Sequence, residues 1–124
     1  MKLTKAQDEI ITRAKGKIDF ARSHTPTEWA QKKKGYNAES IERMIRNCGL
    51  YRQTPEGMRA SIEQEIQRYA DEYIEYYHEE QNGIVSITCN SKPLKKLEEY
   101  GLIEIIYDST GTNFGLDTIK VLNY

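Results

Sequence analysis

Cysteine is almost missing from this chain: Cys48 and Cys89 are the only two, with no CxxC pair. That excludes the disulfide framework that staples small secreted folds. It excludes a thiolate zinc site as well, and two buried free thiols in a reducing compartment are expected. Histidine is equally scarce. His78-Glu79-Glu80-Gln81-Asn82 opens like a zinc-protease HExxH, but Asn82 stands where the second ligand belongs. There is no GxSxG elbow, no Walker loop and no GxGxxG. With neither a nucleophile motif nor a ligand set, no enzyme, no metal and no cofactor is expected. No apolar run approaches the roughly 18 residues that span a bilayer. The opening MKLTKAQDE lacks the apolar core of a signal peptide, so a cytoplasmic protein is expected. A net charge of −1 excludes an unspecific nucleic-acid coat or a membrane-surface protein.

What the chain does have is charge, unevenly spread. Residues 1–50 carry a net +5, residues 51–82 a net −5, and residues 83–124 a net −1. At 124 residues one domain is expected, in three parts: a basic helical part over 1–53, an acidic helix over 54–82, and a mixed remainder over 83–124.

The acidic helix looks like the axis of the chain. Thr54 is a candidate N-cap, Pro55 fits the first helical position, and Glu56 suits the positive end of the dipole. Met58, Ile62, Ile66, Tyr69, Tyr73 and Tyr76 recur at helical steps and share one face. Asn82-Gly83 ends the helix, since both residues tolerate positive φ. Asp71, Glu75 and Glu79 line up four apart along one stripe, with Glu72 and Tyr76 on the adjoining one. Ahead of it, Thr4 and Gln7 propose a capping box for a helix over 4–23, striped by Ile10, Ala14, Ile18 and Ala21. Thr25-Pro26-Thr27-Glu28 starts a second helix that stops at Gly35, anchored by Trp29 and followed by Lys32-Lys33-Lys34. Asn37 caps a third helix over 38–48, closed by Gly49.

After Gly83 the period changes to two. Residues 84–88 read as a strand, and Asn90 or Ser91 caps a short helix with Pro93 in its first turn. Residues 102–107 and 116–122 read as an antiparallel pair around the Gly/Asn-rich turn DSTGTNFG. Two strands alone are marginal, so residues 84–88 are expected to join them. The fold class is therefore α+β: N-terminal helices including one long one, then a small antiparallel sheet of about three strands with a short helix. Leu97 and Ile105 are expected to be buried against each other's layer.

The segment ITCNSKPLKKLEEYGLIEIIYDSTGTNFGLDTIKVL resembles the end of winged-helix domains, where a phrase like LKKLEEYGLIE closes a helix that precedes a β-hairpin wing. The resemblance implies a recognition helix over 91–100 and a wing tip over 109–115. It implies a nucleic-acid surface of Lys92, Lys95 and Lys96, to which Lys32, Lys33 and Lys34 add charge. Lysines of this kind hold phosphates and read no bases, so at most weak nucleic-acid binding is expected. In size, and in its opening MKLTKAQ and closing GLDTIKVLNY, the whole chain resembles small orphan proteins of prophages and mobile elements. These include repressor-like DNA binders and anti-CRISPR inhibitors.

Two functions are in view. One is a non-enzymatic, anti-CRISPR-like inhibitor, a phage protein acting by protein–protein contacts on a host protein that handles nucleic acid. Its contact surface would be Asp71, Glu72, Glu75, Tyr76 and Glu79. Large rigid rings lose little entropy on docking, and carboxylates in rows can stand in for phosphates. The other is a winged-helix-like DNA-binding transcriptional regulator using the lysines. Neither involves a membrane, and the sequence does not state an oligomeric state.

Overall fold

Four helix starts follow directly from local chemistry. The computed structural model describes residues 2–88, 91–107 and 116–124. Helix α1 (Lys5–Ser23) opens on a reciprocal pair: the Thr4 N–H donates to Gln7 Oε1 at 2.9 Å, and the Gln7 N–H to Thr4 Oγ1 at 3.2 Å. Helix α2 (Pro26–Lys33) uses Thr25 and Glu28 in the same way, and α3 (Ala38–Arg46) uses Asn37 and Ser40. Helix α4 (Pro55–Glu72) has Thr54 Oγ1 accepting from the Gly57 N–H at 3.0 Å. Each cap satisfies backbone donors that the first turn leaves free, worth about 1 kcal/mol.

The third helix ends two residues earlier than its apolar stripe suggests. Asn47 leaves helical geometry, and a 3-10 turn over Cys48–Tyr51 takes Gly49 into its interior. Arg52 then adopts φ +57, held there because its N–H reaches Gly49 O and the Gln53 N–H reaches Cys48 O. Cys48 is half-buried rather than buried, since this turn sits at the margin of α3. Cys89, Asn90, the turn at 108–115 and the side chain of Lys92 lie outside the described residues.

The long helix expected over 54–82 is two helices, α4 and α5 (Ile74–Gln81), broken at Tyr73 with φ −111 and ψ 24. The Tyr73 N–H still reaches Tyr69 O, but the Tyr76 N–H turns back to Tyr73 O, a tighter turn. Three physical pressures meet there. Asp71 and Glu72 sit at the negative end of α4 with no cation in its last turn. Asp71 and Glu75 are like charges four apart. Tyr73, Ile74, Tyr76 and Tyr77 are all weak helix formers.

The chain forms two compact units, Met1–Ser23 with His78–Tyr124, and His24–Tyr77. Their boundaries fall after α1 and inside α5.

The first unit is a helix laid on a sheet. Strands β1 (Ile84–Thr88), β2 (Ile103–Tyr107) and β3 (Leu116–Val121) form an antiparallel sheet in the order β1-β3-β2, and α6 (Ser91–Glu99) lies between β1 and β2 in sequence. Alternation aims Val85, Ile87, Ile103, Ile119 and Val121 at one face, and all five are buried. Ile10, Ala14 and Ile18 of α1 and Leu94 and Leu97 of α6 close over that face. The turn from α5 to β1 requires Gly83: φ is +88, and an added Cβ would meet Val121 O at 3.2 Å. Both sheet edges are capped by side chains. Lys17 Nζ donates to Ser86 O of β1 at 2.7 Å, and Glu98 Oε2 accepts the Ile105 N–H of β2 at 2.8 Å. Arg22 ties off the C-terminal end, donating to Gln81 O at 2.9 Å and Tyr124 O at 2.8 Å.

Leu97 is fully buried as expected, but Ile105 is only half-buried. It packs against the core beside Ile103, on an edge strand just before a register shift between Ile105 and Tyr107. The second unit holds α2, α3, the 3-10 turn, α4 and the start of α5. Trp29 and Ala30 of α2 and Met58, Ile62, Ile66 and Ala70 of α4 are its buried apolar residues, with Tyr77. The architecture is α+β. No helix among the described residues is long and apolar enough to cross a membrane.

Leu97→Ala is expected to lower stability by about 2–5 kcal/mol, since its whole side chain leaves a cavity. Ile105→Ala should cost clearly less. Thermal melts of the two variants check the order, and equal losses would contradict the half-buried place of Ile105.

Candidate functional site

The surface that carries the expected contact residues is built outward from Trp29. The tryptophan is 2% exposed, and its Nε1–H has no acceptor among the described residues. Leaving that donor unpaired costs about 1–3 kcal/mol, offset by burial of the indole and its ring contacts. Tyr77 meets the indole edge-on at 5.7 Å and donates its hydroxyl hydrogen bond to His24 O at 2.6 Å. The Tyr69 ring lies 6.1 Å from it. From Tyr69 a ladder of rings runs outward along the end of α4, to Tyr73 at 4.4 Å and from Tyr73 to Tyr76 at 5.8 Å. Tyr69 and Tyr73 are half-buried, while Tyr76 is 56% exposed.

The inner end of the ladder is braced by a cluster the sequence did not advertise. Tyr36 donates its hydroxyl hydrogen bond to Glu65 Oε2 at 2.6 Å, and Lys34 Nζ meets Glu65 Oε1 at 2.8 Å. Lys34 also lies over the Tyr69 ring at 5.8 Å, and Lys33 over Trp29 at 5.5 Å. The Lys34 ammonium and the Tyr36 hydroxyl hold the Glu65 carboxyl below its ordinary pKa. The hydrogen bond to Glu65, with burial, pushes the Tyr36 phenol up to about 12. Nothing local marks Tyr36 and Glu65 as partners, because they are 29 residues apart and meet only through the packing of α2 on α4.

Of the expected contact residues, Asp71, Glu72, Glu75 and Tyr76 lie on the His24–Tyr77 unit, and all four are exposed. Asp71 accepts from Gln67 Nε2 at 2.9 Å, and Glu72 pairs with Arg68 at 3.2 Å. Glu75 has no ion pair among the described residues. Glu79 is exposed but belongs to the other unit. Its neighbour Glu80 is 8% exposed, a buried acid that spacing did not reveal.

The lysines of the alternative surface are differently placed. Lys32 and Lys33 are exposed, whereas Lys34 is half-buried and engaged by Glu65. Lys96 pairs with Glu99 at 3.3 Å, and Lys95 is exposed without an ion pair among the described residues. No cluster of three His, Cys, Asp or Glu residues able to hold a metal occurs among the described residues. Compared with protein-family models, curated proteins and solved structures, the chain matches none.

The Glu65 cluster has a pH signature. A carboxyl with a depressed folded pKa adds stability that is present above its ordinary value of 4.5 and is lost as pH falls through the depressed one. Glu65→Gln should therefore melt below the wild type at pH 7, by about 1 kcal/mol, because its partly exposed ion pair with Lys34 is screened. The gap should close on acidification below pH 4.5. A gap independent of pH would show that the carboxylate charge does not brace α2 on α4.

Proposed function

We propose that the chain is a non-enzymatic binding protein that acts through the acidic, tyrosine-bearing surface at the end of α4 and the start of α5. Its partner is a basic, nucleic-acid-handling protein in the cytoplasm of a bacterial host. The outcome of binding is inhibition, in the manner of small phage or mobile-element proteins such as anti-CRISPR inhibitors. The observation that carries this reading is Tyr76, a large ring 56% exposed beside Glu75, an exposed carboxylate with no ion pair among the described residues. Such a ring contributes apolar contact area at low entropic cost, and the carboxylates complement a groove built for phosphates.

The second reading, a winged-helix-like DNA-binding regulator, draws on the antiparallel β2–β3 pairing and on α6 ahead of it in sequence. Against it, Lys96 is spent on Glu99, and Glu98 and Glu104 bring like charge toward a phosphate backbone. Any duplex binding should be weak, independent of sequence and abolished near physiological salt. Tight binding to one duplex over scrambled competitors would promote the regulator.

The direct test reverses Glu75 and Glu79 to Lys together. Both are exposed, so the melting temperature should stay unchanged or rise slightly as like-charge repulsion is relieved. Inhibition of nucleic-acid cleavage, measured over a panel of bacterial RNA-guided effector complexes, should be lost. A folded double variant that inhibits as well as the wild type would remove the function from this surface.

A further inference from the structure

The ring ladder of the His24–Tyr77 unit carries cations along its inner rungs. Lys33 Nζ lies 5.5 Å from the Trp29 centroid and Lys34 Nζ 5.8 Å from that of Tyr69. Lys34 is gripped from a second side by Glu65 at 2.8 Å. Glu65 precedes Tyr69 by four residues on α4, so a carboxylate and a ring one helical turn apart meet a single ammonium. The ladder continues through Tyr73, 4.4 Å from Tyr69, to Tyr76 at 5.8 Å. Tyr76 is the outermost rung and 56% exposed, and no cation lies over it among the described residues. Glu72 stands four residues before it in sequence, on the other side of the Tyr73 break, and Glu75 is its sequence neighbour; both carboxylates are exposed. Residues 69–77 hold three carboxylates and no Lys or Arg, so the chain supplies no cation of its own within that stretch.

We propose that Tyr76, with Glu72 and Glu75, is a seat for an arginine side chain from an arginine-rich segment of the partner protein. This rests on the reading of the surface as partner-binding and names the chemistry that surface selects. A guanidinium stacks flat on a phenol ring and reaches a carboxylate with two parallel N–H donors, whereas an ammonium does neither. Arg68, just ahead of that stretch, pairs with Glu72 at 3.2 Å in an exposed contact that an incoming arginine can replace. On a nucleic-acid-handling partner, an arginine seated in this way is withdrawn from phosphate.

The test titrates the isotope-labelled full chain with oligoarginine and oligolysine peptides of equal length, following amide shifts. Oligoarginine should perturb residues 71–77 and bind about fivefold or more tighter than oligolysine. Tyr76→Ala should remove that preference, and Tyr76→Phe should keep it, which separates the ring from the hydroxyl. Neutralising Asp8 and Glu9 on α1 should change nothing, and all variants alter exposed residues, so melting temperatures should hold. Equal affinity for the two peptides, indifference to Tyr76→Ala, shifts centred on α1, or no binding would each overturn the seat. Loss of inhibition in the Glu75/Glu79 reversal without an arginine preference would sink the seat and leave the contact surface. An arginine preference with inhibition intact in that reversal would leave the seat and sink the function.

Discussion

Burial of the α1 stripe against one face of a three-stranded sheet is the interaction on which the first unit depends. A sheet of three short strands offers two faces and little width, and it is stable only when one face is covered by apolar surface. Ile10, Ala14 and Ile18 supply that cover from the start of the chain, while Leu94 and Leu97 of α6 complete it from within the sheet's own segment. The cover comes from one helix far away in sequence and one nearby, so the unit is assembled from residues on either side of the His24–Tyr77 stretch. The edge caps complete the arrangement. Lys17 on β1 and Glu98 on β2 occupy edge groups that would otherwise recruit another strand.

The His24–Tyr77 unit solves a different problem. It has no sheet, and its buried residues are an indole, a few aliphatic chains along α4 and one tyrosine. Aromatic rings fill the rest of the contact, which draws Tyr69 and Tyr73 halfway inside and leaves Tyr76 outside. The acidic surface is thus a continuation of the core: the ladder that begins at the buried Trp29 ends among carboxylates. Lys34 and Glu65 show what such a ladder does with charge, holding a cation between ring and carboxylate.

Much of this was readable in the sequence because it is local. Thr4 with Gln7, Thr25 with Glu28, Asn37, and Thr54 ahead of Pro55 place helix starts through hydrogen bonds spanning three residues, and the strand at 84–88 follows from alternation. The exposure of Asp71, Glu72 and Glu75 follows from helical spacing, whereas Tyr76 shares the spacing of the apolar face and is exposed all the same. What was not readable depends on packing. The break at Tyr73 has no Gly or Pro to announce it and arises from a balance of like charge, ring contacts and weak propensity. The Tyr36–Glu65 bond joins residues brought together only by two helices. Ile105 has the right alternation, and only the register shift beyond it shows why it is not fully covered.

On the proposed function, the end of α4 and the start of α5, rather than α6 and the hairpin, meet the partner. Amide hydrogen exchange, measured on the full chain alone and saturated with the proposed nucleic-acid-handling partner, tests this most directly. Slowed exchange centred on residues 69–77, with α6 and β2 unchanged, is the predicted result. Protection centred on α6 and β2, with residues 69–77 exchanging as in the free chain, would contradict it.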